Sequence, residues 1–298
     1  MSELVKKKRG KGWKYHASKW TVAFLRSVLI FGLAFIILKP FIYKILMAFM
    51  SVGDLNNNTV NIIPAEWDTY FWQQAWTRLE LDKTAFNTIF ISLCVGLIQT
   101  IVCTMIGYGL ARFKFPGASL LFVMVVIILL VPHQVLQIPE YLRFVDFKMV
   151  DTPWPIFVLA FCGLGIKEGL YIYLLREFFR SMPNDLEEAA YIDGCGTIRT
   201  FFSVMLPNAR TMMTTVFLFS FCWQYTDTDY SQLYYNETKV FGNLINTIYI
   251  RVGLSAEMTQ SYICRNAACL LILIPLIGIF VFAQRGIVKS ITLSGMAN

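Results

Sequence analysis

The chain has 298 residues, of which 56% are apolar and 15% charged, with a formal net charge of +7 and a mean hydropathy of +0.56. Soluble domains carry about 25% charged residues, so this composition excludes an ordinary water-soluble globule. Ten-residue segments of alternating polarity are lacking, which argues against a transmembrane β-barrel, and lipid then leaves helices as the form that satisfies the backbone.

Six apolar runs are long enough to cross about 30 Å of hydrocarbon. They cover residues 22–50, 85–113, 119–138, 154–179, 211–233 and 266–287. Ahead of the first lie Lys6, Lys7, Lys8, Arg9, Lys11 and Lys14, as in a secretion signal. The apolar stretch that follows is too long for a signal core and has no clear small-residue cleavage site. A retained first helix is therefore expected, with Trp13, Tyr15 and Trp20 as interfacial anchors.

The polar segment 56–76 is expected as an external loop with a short interfacial element. Phe115-Pro116-Gly117 marks a tight turn between the second and third spans. Pro132 and Pro139 predict a kink or a non-helical stretch near the end of the third, since each removes a backbone donor.

In the fourth run, Gly163, Gly165 and Gly169 surround Lys167-Glu168 near the depth of the bilayer centre. A charge there costs roughly 2.5–3.5 kcal/mol and needs a cavity or a partner. Two readings stay open: a glycine-loosened helix exposing Lys167 or Glu168 to a translocation path, and a structural ion pair between helices. The fifth run ends in Trp223, Gln224, Tyr225 and Asp227. Rings with amide and carboxylate groups suit a sugar site, and they equally suit an interfacial aromatic belt.

Basic residues concentrate in the N-terminal tail and at Arg112, Lys114, Arg176, Arg180, Arg199, Arg210, Arg285 and Lys289, while acids dominate the alternate loops. The positive-inside rule puts both termini in the cytoplasm. It also accounts for the net charge without nucleic acid. The seven cysteines form no CxxC pair and there are only two histidines, so neither a disulfide framework nor a metal site is expected.

The loop between the fourth and fifth runs, residues 181–207, is too structured to be a connector. Pro183 suits a first helical turn, Asp185 and Glu187 suit the positive end of its dipole, and Gly194 is a natural stop. Thr197 is expected to cap a second short helix over 198–206, ended by Pro207. The result is a helix–turn–helix lying along the inner membrane face.

Glu188-Ala189-Ala190, two residues, Asp193-Gly194, eleven residues and Leu206-Pro207 resemble the EAA loop of ABC importer permeases. The run Leu175 to Pro183, the turn Tyr108 to Gly117 and the tail Gln284 to Gly295 are similar to the carbohydrate (maltose-type, binding-protein-dependent) branch. Two departures stand out. Cys195 sits where the family often has alanine, and Trp223-Gln224-Tyr225 replaces a common Trp-Asn pattern, which weakens any transfer of sugar contacts.

The resemblance implies an all-α integral membrane protein with about six transmembrane helices, a type I importer permease fold and a cytoplasmic EAA coupling helix. It implies a basic tail over 1–20, a first helix and external loop over 21–83, a permease core over 84–288 and a cytoplasmic tail over 289–298. Glu188, Ala189, Ala190, Asp193, Gly194, Leu206 and Pro207 would dock an ATPase. Lys167, Glu168, Trp223, Gln224 and Asp227 are candidates for the translocation path. Partners would be a second permease, two cytoplasmic ATPases, an external sugar-binding protein and membrane lipid, in a prokaryotic plasma membrane.

No GxxxxGK[ST] loop occurs, so ATP and Mg would be used by the partner ATPase, with no cofactor on this chain and no catalysis by it. Alternatives are a permease for amino acids, phosphate or polyamines and an ion channel. A third is a membrane-embedded enzyme using Glu187, Glu188 and Asp193 as acids or bases.

Overall fold

In the computed structural model the described backbone covers residues 2–55, 57, 62–248 and 254–295; side chains are described over 20–54, 57, 62–245, 247–248 and 260–281. The basic tail, Trp13, Tyr15 and the motif from Gln284 lie outside the described side chains. The chain divides into two compact units, residues 1–74 with 250–267 and residues 75–249 with 268–298.

The first unit contains α1 (Ser2–Ala48), α2 (Val52–Leu55), the start of α3 (Tyr70–Leu79) and the first part of α14 (Leu254–Gly295). The stretch Trp20–Ala48 has 29 residues and is long and apolar enough to cross a membrane. From Trp20 to Tyr43 no side chain is buried by protein, the pattern of a helix solvated by lipid. Residues 62–69 of the polar segment after it are irregular backbone held by specific contacts. Asp54, 6% exposed, accepts the Ala65 and Glu66 N–H groups at 3.1 and 3.2 Å. The Phe49 ring lies 5.7 Å from that of Trp67 and 5.2 Å from that of Trp72.

The second unit is organised around α4 (Leu81–Arg112), against which α7 (Trp154–Phe161), α8 (Glu168–Ser181) and α11 (Leu206–Tyr225) pack. Thr84, Thr88, Ser92, Gly96, Thr100, Thr104 and Tyr108 recur at every fourth position along the buried stripe of α4. The Thr88, Ser92, Thr100 and Thr104 hydroxyls donate to the carbonyl one turn back at 2.6–2.7 Å. A smooth, polar-satisfied surface of small residues lets backbones approach closely where lipid supplies no hydrophobic drive. A Cβ on Gly107 would stand 2.9 Å from the Leu175 Cβ, and one on Gly169 would stand 3.0 Å from the Leu129 nitrogen. These glycines mark the α4–α8 and α5–α8 crossings.

The third run is shorter than expected. α5 (Ala118–Leu130) has 13 residues, about 20 Å of helix. It stops because Val131, ahead of Pro132, is extended at φ −71° and ψ 123°, as residues before proline are. A 3₁₀ turn (His133–Val135) and α6 (Gln137–Asp146) follow, with Pro139 in the first turn of α6.

The fourth run is two helices, α7 and α8, separated by residues 162–167. The fifth ends at Tyr225, before α12 (Asp229–Tyr234). Among the described residues three helical stretches are long and apolar enough to cross a bilayer, Trp20–Ala48, Leu81–Arg112 and Gln260–Val281.

Beyond α12 the chain returns through α13 (Phe241–Leu244) to the start of α4. The Phe241 N–H donates to the Thr88 hydroxyl at 3.0 Å, and Lys239 pairs with Glu80. The Asp151 carboxylate accepts the Asn236 and Glu237 N–H groups, which hold it below the usual carboxylate range, that of Glu237 most.

Candidate functional site

The acidic helix of the 181–207 loop is α9 (Asp185–Ile192). It starts two residues beyond Pro183, because Met182 is extended ahead of that proline at ψ 141°. The Asn184 carbonyl accepts the Glu187 and Glu188 N–H groups at 2.9 and 3.1 Å. The helix ends as expected at Gly194, whose φ is +80°. The Gly194 N–H reaches the Tyr191 carbonyl at 3.0 Å and the Cys195 N–H the Ala190 carbonyl at 2.9 Å. This pair of bonds is a Schellman closure, in which a left-handed glycine satisfies the last carbonyls.

Two faces result. Ala190 turns inward at 5% exposure, whereas Tyr191 and Ile192 are 45% and 86% exposed, with Glu188, Ala189 and Asp193 on the same open side. Ile198 and Phe202, at 76% and 57%, add apolar surface.

What holds this face was not read from the sequence. Arg112, the last residue of α4, donates through Nη2 to the Met182 carbonyl at 2.7 Å and through Nη1 to the Asn184 side chain. Its Nε lies 3.5 Å from Glu187 Oε2, and Tyr108 donates its hydroxyl to Glu187 Oε1 at 2.8 Å. The Tyr108 ring is fixed by Phe201, Phe179 and Phe113 at centroid distances of 4.7, 5.4 and 5.5 Å. The sequence signal was a tyrosine and an arginine one turn apart at the end of a span, facing a loop rich in acids.

The second helix of the loop does not end at Pro207. α10 (Thr197–Thr200) runs into a π-turn (Phe201–Met205) and then into α11 without a break. The Leu206 N–H reaches back five residues to the Phe201 carbonyl, so the chain stays helical into a proline that occupies the first turn of α11, where its missing donor is tolerated. Leu206 and Pro207 consequently lie about 15 Å along this rod from Thr197. They line a groove with Leu97 and Thr100 of α4, apart from the other five docking candidates.

The break between α7 and α8 brings only part of the path candidates together. Gly163 and Lys167 adopt φ +76° and +61°. Glu168 is fully buried and its Oε2 accepts the Gly165 N–H at 2.6 Å, while Oε1 has no hydrogen-bond partner. Gln99 braces the break, donating to the Ile166 carbonyl at 3.4 Å and accepting from Ser220.

Lys167 turns the other way. Its ammonium lies 4.9 Å above the Trp223 ring, which is 48% exposed. Among the described residues neither Lys167 nor Glu168 forms an ion pair, so the interhelical ion-pair reading is replaced by a backbone contact and a cation–π contact. Gln224 is buried. Asp227 accepts the Ser231 N–H and hydroxyl at 2.9 and 3.1 Å and the Tyr230 N–H at 3.3 Å, closing the start of α12. Of the five path candidates, Lys167 and Trp223 are thus the two whose side chains the fold brings together.

A sequence model described as "Binding-protein-dependent transport system inner membrane component" matches residues 103–293. The diacetylchitobiose uptake system permease protein NgcG of Streptomyces coelicolor is 30% identical over 62% of this chain and 60% of its own length. The arabinooligosaccharides transport system permease protein AraQ of Halalkalibacterium halodurans is 24% identical over 89% of this chain and 92% of its own. The sn-glycerol-3-phosphate transport system permease protein UgpE of Agrobacterium fabrum is 24% identical over 86% and 91%. The fold is similar, at a TM-score of 0.70 and 18% identity over 90% of this chain and 97% of the other, to a crystal structure of a bacterial ABC transporter involved in the import of the acidic polysaccharide alginate. An all-helical architecture with a clamped loop helix and a match over more than half of the sequence lead to one conclusion: the chain belongs to the binding-protein-dependent transport inner membrane component family, as a non-catalytic, multi-pass permease subunit.

Proposed function

We propose that this chain forms half of the translocation pathway of an ATP-driven importer for a sugar or oligosaccharide. The observation that carries the reading is the open face of α9, with Glu188, Ala189, Ile192 and Asp193 outward, clamped to α4 through Arg112, Tyr108 and Glu187. Such a face suits a groove on a cytoplasmic ATPase. Because α10, the π-turn and α11 are one continuous rod, a push on the loop moves α11, which carries Trp223, without an intervening joint. Closure of two ATPases around ATP and Mg would thereby rock the membrane helices.

In this reading both termini are cytoplasmic and the six spans are α1, α4, α5, the α7–α8 pair, α11 and α14. The partners are a second, non-identical permease, two ATPases and an external sugar-binding protein, with no cofactor on this chain and no nucleic acid. Two of the relatives named above transport saccharides by their printed names. The glycerol-3-phosphate permease, together with Lys167, which pairs with no carboxylate among the described residues, favours a phosphorylated polyol as the second reading. General acid–base work by Glu187, Glu188 and Asp193 is set aside, since Glu187 is committed to the clamp.

Affinity purification of the tagged chain from its native membrane, followed by mass spectrometry, tests the assembly. Recovery of a P-loop ATPase, a second permease and a binding protein is expected, and that binding protein is then screened against sugars and sugar phosphates. Glu188→Lys should leave membrane insertion intact while releasing the ATPase or uncoupling hydrolysis from uptake. Recovery of the chain alone, even after cross-linking through α9, would overturn the proposal.

A further inference from the structure

A hollow of about 510 Å³ opens where α4 ends and α5 begins, lined in part by Phe113, Lys114, Phe115, Ser119 and Arg176. It is distinct from the α9 clamp and from the Lys167–Trp223 pair. Its position along the membrane normal follows from the sequence: the apolar run of α4 closes at Arg112 and that of α5 opens at Ala118. The hollow therefore sits at the boundary of hydrocarbon and headgroups, at the end of α4 that holds the α9 loop.

Its chemistry is cationic on one wall and apolar on the other. The Arg176 guanidinium carbon lies 3.7 Å from the centre of the Phe122 ring, a cation–π contact. One edge is engaged, through Nη1 and Glu177, while Nε is shielded and has no hydrogen-bond partner. Arg176 itself lines the hollow, and a phosphate is the ligand whose geometry best matches an arginine fork. Lys114 is exposed at the rim. Counting Lys114, Arg176 and Glu177, the site carries one net positive charge. Beyond the rim, Leu120, Leu121, Val123 and Met124 of α5 are 46–60% exposed, a surface on which acyl chains can lie.

We propose that this hollow binds a phosphate ester, the headgroup phosphate of an anionic glycerophospholipid from the inner leaflet. Basic recesses at the ends of membrane helices on the cytoplasmic side suit such headgroups. A bound headgroup would bridge α4, α5 and α8 beside the loop that carries α9.

The test uses the transporter purified with its partners and titrated, under native mass spectrometry, with phosphatidylglycerol, with phosphatidylcholine or with inorganic phosphate. One saturable phosphatidylglycerol site is expected, and Arg176→Gln with Lys114→Gln should weaken it about 30-fold, which is about 2 kcal/mol at ~1.4 kcal/mol per decade and the size expected for two basic residues at a charged leaflet. Lys114→Glu, at an exposed position that folding does not depend on, should lower that affinity at least several-fold by itself. Millimolar inorganic phosphate that occupies the site while phosphatidylglycerol does not would also support the phosphate site and assign it to a free anion. Equal binding of phosphatidylcholine and phosphatidylglycerol, or affinity for phosphatidylglycerol and for phosphate unchanged within twofold in both variants, would overturn the proposal.

Discussion

Removing the charges of Arg112 and Glu187 singly and together isolates the clamp that orients α9. The pair is 3.5 Å apart, with side chains 8% and 13% exposed. At an effective dielectric of about 20 the gross attraction is about 5 kcal/mol. Desolvation of two mostly buried ions takes back much of it, leaving a coupling energy of about 1.5–3 kcal/mol. That is about 10- to 150-fold in an equilibrium constant.

Glu187→Gln keeps an acceptor for the Tyr108 hydroxyl, so it removes the charge and little else. Arg112→Met also loses the bonds to Met182 and Asn184 and should be the more damaging single change. The double variant should cost scarcely more than Arg112→Met alone, because the charge pair is already gone. The readouts are the apparent affinity of the ATPase for the solubilised permease pair and the solute carried per ATP in proteoliposomes. Costs that add within about 0.5 kcal/mol, or an ATPase affinity untouched by either substitution, would refute the clamp as the element that positions α9.

Other consequences concern single positions. At Gly194 a side chain would meet no atom within 4 Å, so Gly194→Val tests backbone conformation alone. A β-branched residue at φ +80° should cost about 1–3 kcal/mol and weaken ATPase retention on size exclusion, whereas Gly194→Asn, which tolerates that conformation, should stay near wild type. At Gly165 a Cβ would collide with Gln99 Nε2 and stand 3.2 Å from the Ala160 Cα. Gly165→Ala should therefore displace Gln99 from the α7–α8 break, costing about 1–3 kcal/mol, seen as a lower melting temperature and slower uptake. The Asp151 carboxylate is depressed by the Glu237 and Asn236 N–H groups, so its support of the 235–239 loop is present above the unfolded value of about 3.9 and lost as pH falls through the lower folded value. Pepsin cleavage of that loop should exceed wild type in Asp151→Asn near pH 5, with the difference closing toward pH 2.

The features legible in the sequence are those decided within a few residues. Hydropathy marks Trp20–Ala48, Leu81–Arg112 and Gln260–Val281 as long and apolar enough to cross a bilayer, whatever they pack against. The extended residue ahead of Pro132 and the Gly194 turn after α9 are set by local sterics, and both occur as expected. Pro207 misled because proline is a local stop only when nothing upstream adjusts, and the π-turn at Phe201–Met205 provides that adjustment. The every-fourth-residue row of α4, from Thr84 to Tyr108, was open to reading as a helix-contact stripe.

Tertiary structure alone decided which charges meet. Tyr108 and Glu187 are 79 residues apart, and their meeting depends on α4 and α8 crossing at Gly107, where the Leu175 and Arg176 backbone leaves no room for a side chain. Composition identified Lys167-Glu168 as costly, yet the left-handed Lys167 sends one side chain to Trp223 and folds the other against Gly165. Local rules specify where a helix starts and stops; the partners of a buried polar group depend on how closely two helices approach and at what angle, which is a property of the packed bundle.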